Sequence, residues 1–309
     1  MAPATSRSAE NPNRWSCFLP ASGSGGLDDK ERARPTSFFL HGGDLMDTVT
    51  VLRARNTFGP ATYAVVGKHI SKDGTIKPLQ KQAAWEVHTY EINDLDGFYD
   101  LLLEVSKTNH SILLRGKFNG GNHLHCRRNK ENFASISKNW MMVDIDKLRA
   151  LEGMKPDSDE AILYAIQQLP TEFHDADCIA LFSSSAGLAG EKIKLHLMFW
   201  LEEPQDDNTL RRWASSTNDL VDFRLFNSVQ PHYVTDPTFE DPSMDPFKDR
   251  SRLTYLRKNR RTVPVWFLED FKTPTPSKID PKPLGVLNHA GAGTAGPTSS
   301  TGKLIDNRE

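Results

Sequence analysis

Three groups of side chains in this sequence have the types and spacing for phosphate and metal chemistry. The first is Asp144 and Asp146, at the end of Trp140-Met141-Met142-Val143-Asp144-Ile145-Asp146. This run reads as a short β-strand, and side chains two apart on a strand share a face. Met142, Asp144 and Asp146 therefore lie together, with Met141, Val143 and Ile145 turned toward a core. Two carboxylates fixed side by side repel unless a cation lies between them, and Mg²⁺ takes one or two carboxylates plus substrate phosphates. The chemistry this suits is metal-assisted phosphoryl transfer. The bland alternative is a solvated strand end, because Asp-x-Asp is short enough to arise by chance.

The second group is Ser183-Ser184-Ser185 with Lys192, Lys194 and His196. A small-residue turn lets backbone N–H groups point at an anion. Lysine and histidine on the following strand add charge and hydrogen bonds to the same phosphates. Ser184, Ser185, Lys192, Lys194 and His196 are thus candidates for a triphosphate cradle, against an ordinary hairpin with a solvated polar face. The third group supplies one more carboxylate for a two-metal site. Asp222, in Leu220-Val221-Asp222-Phe223, is preferred to Asp236 and Asp241 because it stands where a helix gives way to an apolar stretch.

Around these lie candidates for nucleic-acid contact. Arg250, Arg252, Arg257 and Lys258 belong to a basic run that also holds Lys248, Arg260 and Arg261, opposed by Asp245 and Asp249. Such a run can track a template backbone. Trp200 is a candidate for stacking on a base or sugar, with packing as its alternative. Arg115, Arg127 and Arg128 are further phosphate candidates, or surface charges.

These groups need elements to hold them. Thr48–Leu52, Thr62–Val66 and Ser111–Arg115 read as strands. Asn93 to Val105 has Leu95, Phe98, Leu102 and Val105 at helical spacing, with Asn93 or Asp94 as cap. Asp157-Ser158-Asp159-Glu160 resembles a capping box opening a helix whose stripe is Ile162, Leu163, Ile166 and Leu169. Cys178–Phe182 is an apolar strand, and Lys192–Leu201 alternates, with Ile193, Leu195, Leu197, Phe199 and Leu201 on one side. A helix is expected from Pro204 to about Leu220. Strands and helices mixed in this way give an α+β fold with an antiparallel or mixed sheet.

The chain has 309 residues, 38% hydrophobic and 25% charged, with a net charge of −2. That polarity is read as tails: residues 1–36 and 273–309, rich in Ser, Gly, Pro and Thr, are expected to be disordered, around a domain from 37 to 272. Cys17, Cys126 and Cys178 make no disulfide framework. No stretch approaches the roughly 18 apolar residues of a membrane span, so a cytoplasmic protein is expected.

The order of motifs resembles the archaeo-eukaryotic primase superfamily, and most of all the primase-polymerase domains of phage and plasmid replication proteins. The resemblance covers roughly residues 85–260. It rests on Val143-Asp144-Ile145-Asp146, on Phe182–Ser185 with Lys194-Leu195-His196-Leu197, on Val221-Asp222, and on Asn227-Ser228-Val229-Gln230-Pro231-His232-Tyr233. It implies an RRM-like catalytic sheet packed against an N-terminal α/β portion. It implies metal ligands at Asp144, Asp146 and Asp222, carrying Mg²⁺ or Mn²⁺ as a pair, and nucleotide phosphates held by His196 with the serine turn. It implies single-stranded DNA, NTPs or dNTPs and a replicative helicase as partners, and phage or mobile-element replication in a bacterial cell as the setting. Zinc, frequent in the family, is not expected, since His123, His125, Cys126 and Cys178 lack close ligand pairs.

Two other classes stay in view. His123-Leu124-His125 has the His-apolar-His pattern of nicking replication initiators, with Tyr164 as the nucleophile. A nucleic-acid-binding module without turnover is the other.

Overall fold

The computed structural model describes residues 46–56, 63–78 and 84–272. The two expected tails, Cys17 and Thr62 lie outside the described residues. In chain order the elements are β1 (Asp47–Ala54), β2 (Lys68–Ile70), β3 (Ile76–Pro78), β4 (Trp85–Ile92), α1 (Leu95–Ser106), β5 (Ser111–Leu114), β6 (Lys117–Phe118), β7 (Phe133–Ala134), β8 (Lys138–Ile145), α2 (Asp159–Gln167), β9 (Cys178–Phe182), β10 (Leu195–Gln205), α3 (Asp207–Ser215), β11 (Thr238–Phe239) and β12 (Leu253–Leu256). The fold is mixed α+β, with small and mostly antiparallel sheets, as the pattern predicts.

The central sheet has four antiparallel strands in the order β12-β9-β10-β8. Its strands are apolar on both sides, and both sides are covered. Met141, Val143, Ile145, Leu195, Leu197 and Phe199 pack against Ile162 and Ile166 of α2 and Leu210 and Trp213 of α3. Trp140, Met142, Met198, Trp200 and Ile179 pack against Phe98 and Leu102 of α1 and Val49 and Val51 of β1. Strand β1 is the middle of a second antiparallel sheet, β4-β1-β5, so α1 and this sheet form the layer opposite α2 and α3.

Two buried ion pairs tie the sheets together. Lys138 at the start of β8 meets Asp47 of β1 at 3.0 Å. Arg115, just past β5, meets Asp207 of α3 at 2.9 Å and donates to the Trp140 and Gln205 carbonyls. Arg115 is 1% exposed, which corrects its reading as a surface or phosphate-contacting residue. Gly116 follows it because a Cβ there would lie 2.3 Å from the Ser228 carbonyl oxygen, so only glycine admits the segment that carries His232.

Several local expectations change. Helix α1 is capped by Asp94, which accepts from Gly97 N, as predicted. Helix α2 is capped by Ser158, which places Ala161 at the third position, so Glu160 does not close a capping box. Leu163 faces solvent, and Ala161, Ile162, Ala165 and Ile166 make the inner stripe. The helix expected from Pro204 is shorter: β10 runs through Pro204 to Gln205 with a register shift after Trp200, where proline is tolerated. Asp206 then caps α3 by accepting from Asn208 N and Thr209 N. Asn218 and Asp219, both left-handed, lie past its end and keep the chain from reaching Leu220 as helix. Tyr63 makes only an isolated bridge with Arg55, and Ala64 to Val66 are not strand.

Cys126 and Cys178 are free and buried, and burial pushes both thiols up. The thiolate is the reactive form. In a Cys17→Ser chain, native protein is expected to react with a thiol reagent far more slowly than urea-unfolded protein. Rapid native labelling at Cys178, mapped by mass spectrometry, would contradict this packing.

Candidate functional site

The site forms at one end of the central sheet, where β8 ends and β10 begins. The antiparallel register sets Asp144 directly opposite His196, flanked by Leu195 opposite Ile145 and Leu197 opposite Val143. The Asp144 Oδ1–His196 Nε2 distance is 3.3 Å, and both side chains are about seven-eighths buried, at 13% and 12% exposure. Asp144 and His196 continue the sheet face of Trp140, Met142, Met198 and Trp200, just where the apolar packing stops. Burial alone would push the Asp144 carboxyl up. His196, Lys194 and His232 outweigh it and hold the group below the usual carboxylate range.

The other two acids are tied to the same strand end, each with its own basic partner. Asp146 is half-exposed and meets Lys194 at 3.1 Å. Asp222 reaches the same strand through its backbone, donating its N–H to the Asp144 carbonyl at 3.2 Å. Its side chain accepts from Arg224 Nε at 2.9 Å and caps the short turn Phe223–Leu225. Residues 78 positions apart in sequence therefore become backbone neighbours at the end of β8.

Each acid has a basic side chain of the protein beside it: Asp144 with His196, Asp146 with Lys194, Asp222 with Arg224. Among the described residues no group of three or more His, Cys, Asp or Glu side chains is already gathered as a metal cage. The donor chemistry nonetheless fits a hard divalent ion, which takes carboxylate oxygens and completes its shell with phosphates and water. Asp144 Oδ1 is buried and has no hydrogen bond of good geometry, so it is free to accept one more partner.

The serine turn is less open than the sequence suggests. Ser183 and Ser185 are buried, their hydroxyls 3.5 Å apart, and Ser184 is half-buried. Ser183 N–H donates to Lys194 O, and its carbonyl takes a bond from Arg252. Lys192 is exposed and bridges to Arg149, where the 148–150 and 191–193 segments prolong the β8–β10 ladder.

The basic run is mostly stitched into the fold. Arg252 is 4% exposed, ion-paired with Asp245 and Asp236 and stacked over Phe247. That burial corrects its reading as a template contact. Arg250 pairs with Asp157 and lies over Phe247 and Phe182. Arg257 and Arg261 bind Asp96 at the start of α1, and Lys258 Nζ donates to the His174 carbonyl. Arg257 and Arg261 remain more than half exposed. Trp200 is 6% exposed within the inter-sheet core, so it packs and does not stack on a ligand.

The nickase arrangement finds no support in position. His123 and His125 are exposed on the loop between β6 and β7, not on a central strand. Tyr164 packs against the opposite layer, on α2. Two neighbours of the site were missed from sequence. Arg224 had a signal, an arginine two residues after Asp222. His232 stood inside the Asn227–Tyr233 segment, but nothing in the sequence alone marked it as buried.

Comparison with known proteins finds this chain 27% identical over 196 residues to the "Putative replication origin binding protein" of Escherichia phage T5, covering 58% of this chain and 21% of that protein. The chain thus spans about a fifth of that relative's length. No protein-family model matches, and no solved structure matches.

Proposed function

We propose that this chain is a primase-polymerase domain that joins nucleotides on a single-stranded DNA template in phage replication. The observation that carries the reading is the cross-strand pair of Asp144 and His196 with Asp222 bonded to the same strand. Leaving aside the short β11, the succession β8-α2-β9-β10-α3-β12 has the β-α-β-β-α-β chain order of the RRM-like core the reading expects, but β8 lies at the sheet edge where that core has its first strand central. The relative from phage T5 supports a place in replication.

Nucleotide joining is an in-line attack by a 3′-hydroxyl on an α-phosphate. Asp144, Asp146 and Asp222 would hold Mg²⁺ or Mn²⁺, which supplies activation of the hydroxyl and neutralisation of the leaving pyrophosphate. His196, lodged beside Asp144, donates from Nε2 to a phosphate oxygen. Lys194 and Lys192 on the same hairpin contribute positive charge to the triphosphate. Exposed Arg257 and Arg261 guide the template backbone.

The decisive experiment is synthesis on a primer-free single-stranded circle with labelled NTPs or dNTPs and each metal. Metal-dependent, template-directed product supports the reading, and its absence under every combination overturns it. His196→Ala is expected to raise the nucleotide KM by about 10–100-fold, the worth of one hydrogen bond to a charged group, with a smaller change in kcat. A fall confined to kcat would remove His196 from phosphate binding.

A second reading is favoured by the likeness to the phage T5 protein, a putative replication origin binding protein: an origin-DNA-binding module without turnover. It predicts a mobility shift with duplex origin DNA and no product in the synthesis assay.

A further inference from the structure

His232 is a buried histidine that the chemistry above leaves unused. It is 1% exposed, and neither ring nitrogen has a hydrogen-bond partner among the described residues. Its backbone is fixed: His232 N–H donates to Leu113 O at 2.9 Å, and Leu113 N–H donates to His232 O at 3.0 Å. The close approach at Gly116 and Ser228 fixes the preceding turn. The imidazole meets Trp140 edge-on, with 6.0 Å between ring centroids. Trp140 lies on the strand face that continues through Met142 to Asp144.

His196 Nδ1 is likewise buried without a hydrogen-bond partner among the described residues. Burial, then Arg115 and His196, push His232 down to about 3, with Asp144 opposing, so its ring is neutral at physiological pH. A neutral imidazole presents one donor and one acceptor. Burying such a group without partners is costly, and an apolar ring of similar size would pack here without that cost. Stability therefore does not account for a histidine at this position, while a polar role toward the adjacent pair does.

We infer that His232 is a positioning residue, which acts through His196 by orienting its ring beside Asp144 in readiness for the nucleotide's phosphates. This rests on the polymerase reading for its ligand, but not for the effect on His196 itself. The test uses the full chain with His232→Phe, which preserves the ring against Trp140, with His232→Leu as a second apolar variant and His232→Gln as a polar one. Ring nitrogen NMR signals of His196, at one pH and without nucleotide or metal, are expected to move in His232→Phe. Thermal midpoint is expected to hold or rise, while binding of a nucleoside triphosphate with Mn²⁺ weakens about tenfold. His232→Gln is expected to recover much of that loss.

Unchanged His196 signals in a folded apolar variant overturn the inference. So does failure of both apolar variants to fold, which makes His232 a structural residue. Binding loss that Gln does not lessen overturns it as well. A wild-type chain that makes no product, yet shows the His196 shift, rejects the polymerase reading and leaves the effect on His196 standing.

Discussion

Asp144→Asn is expected to lower template-directed synthesis by about 10²–10³-fold or more, the usual cost of removing a preorganised electrostatic group from a reacting centre. The substitution retains shape and removes one negative charge, so its effect isolates electrostatics. Asp144 is the most connected of the three acids: His196 faces it across the ladder and Asp222 N–H bonds its carbonyl. Its folded-state carboxyl is held low, so the charged form contributes stability above the unfolded pKa, and that contribution is lost as pH falls through the folded value. Asparagine removes the same contribution at neutral pH. A modest fall in thermal midpoint should accompany the loss of synthesis, with DNA binding retained. Asp146→Asn, half-exposed, should reproduce the catalytic loss with no change in midpoint. Synthesis within tenfold of wild type for Asp144→Asn would remove this residue from the chemistry.

Arg115→Ala is the substitution expected to cost the fold most, about 3–5 kcal/mol, because it strands Asp207 as a buried charge. Arg115 joins four parts of the molecule: its own strand end after β5, the Trp140 carbonyl of β8, the Gln205 carbonyl of β10 and the Asp207 carboxylate of α3. Asp207 retains Ser135 as a donor and its place in the first turn of α3, neither of which supplies a full positive charge. Urea unfolding of the two proteins measures the difference. Replacing both partners, as Arg115→Met with Asp207→Leu, should recover much of the loss, since two apolar side chains of similar volume leave no charge unpaired. A loss below about 1 kcal/mol for Arg115→Ala, the range of a surface pair, would show that the pair is solvated.

Legibility from sequence followed periodicity. The acid strand, the histidine strand and α1 alternate or repeat cleanly, and their residues divide between two faces as read, though the histidine strand's second face is buried at Met198 and Trp200. Asp144 opposite His196 needed only two strands meeting in register. Asp222, chosen because it stands where a helix gives way to an apolar stretch, bonds to β8 through its backbone and caps a short turn. What failed were positions whose environment depends on distant chain. Arg115 and Arg252 look like surface charges because sequence does not display the Asp207 or Asp245 that neutralises them. Trp200 lies on a face that alternation marks as polar, yet the α1 layer covers it. Pro204 reads as a helix start by its usual preference, but a bulged strand end accommodates it equally well. His232 needed the Leu113 pairing before its burial could be known.

The segments 146–158 and 183–194 leave the same end of the central sheet, while Asp144 and His196 are fixed by the ladder between β8 and β10. The Asp144–His196 geometry and the rim around it are thus specified by separate stretches of chain. Homologues or engineered versions can lengthen, trim or exchange those two connections, which under the proposed function would alter which nucleotide or DNA end gains admittance. The carboxylate–imidazole spacing would carry over intact through such exchanges.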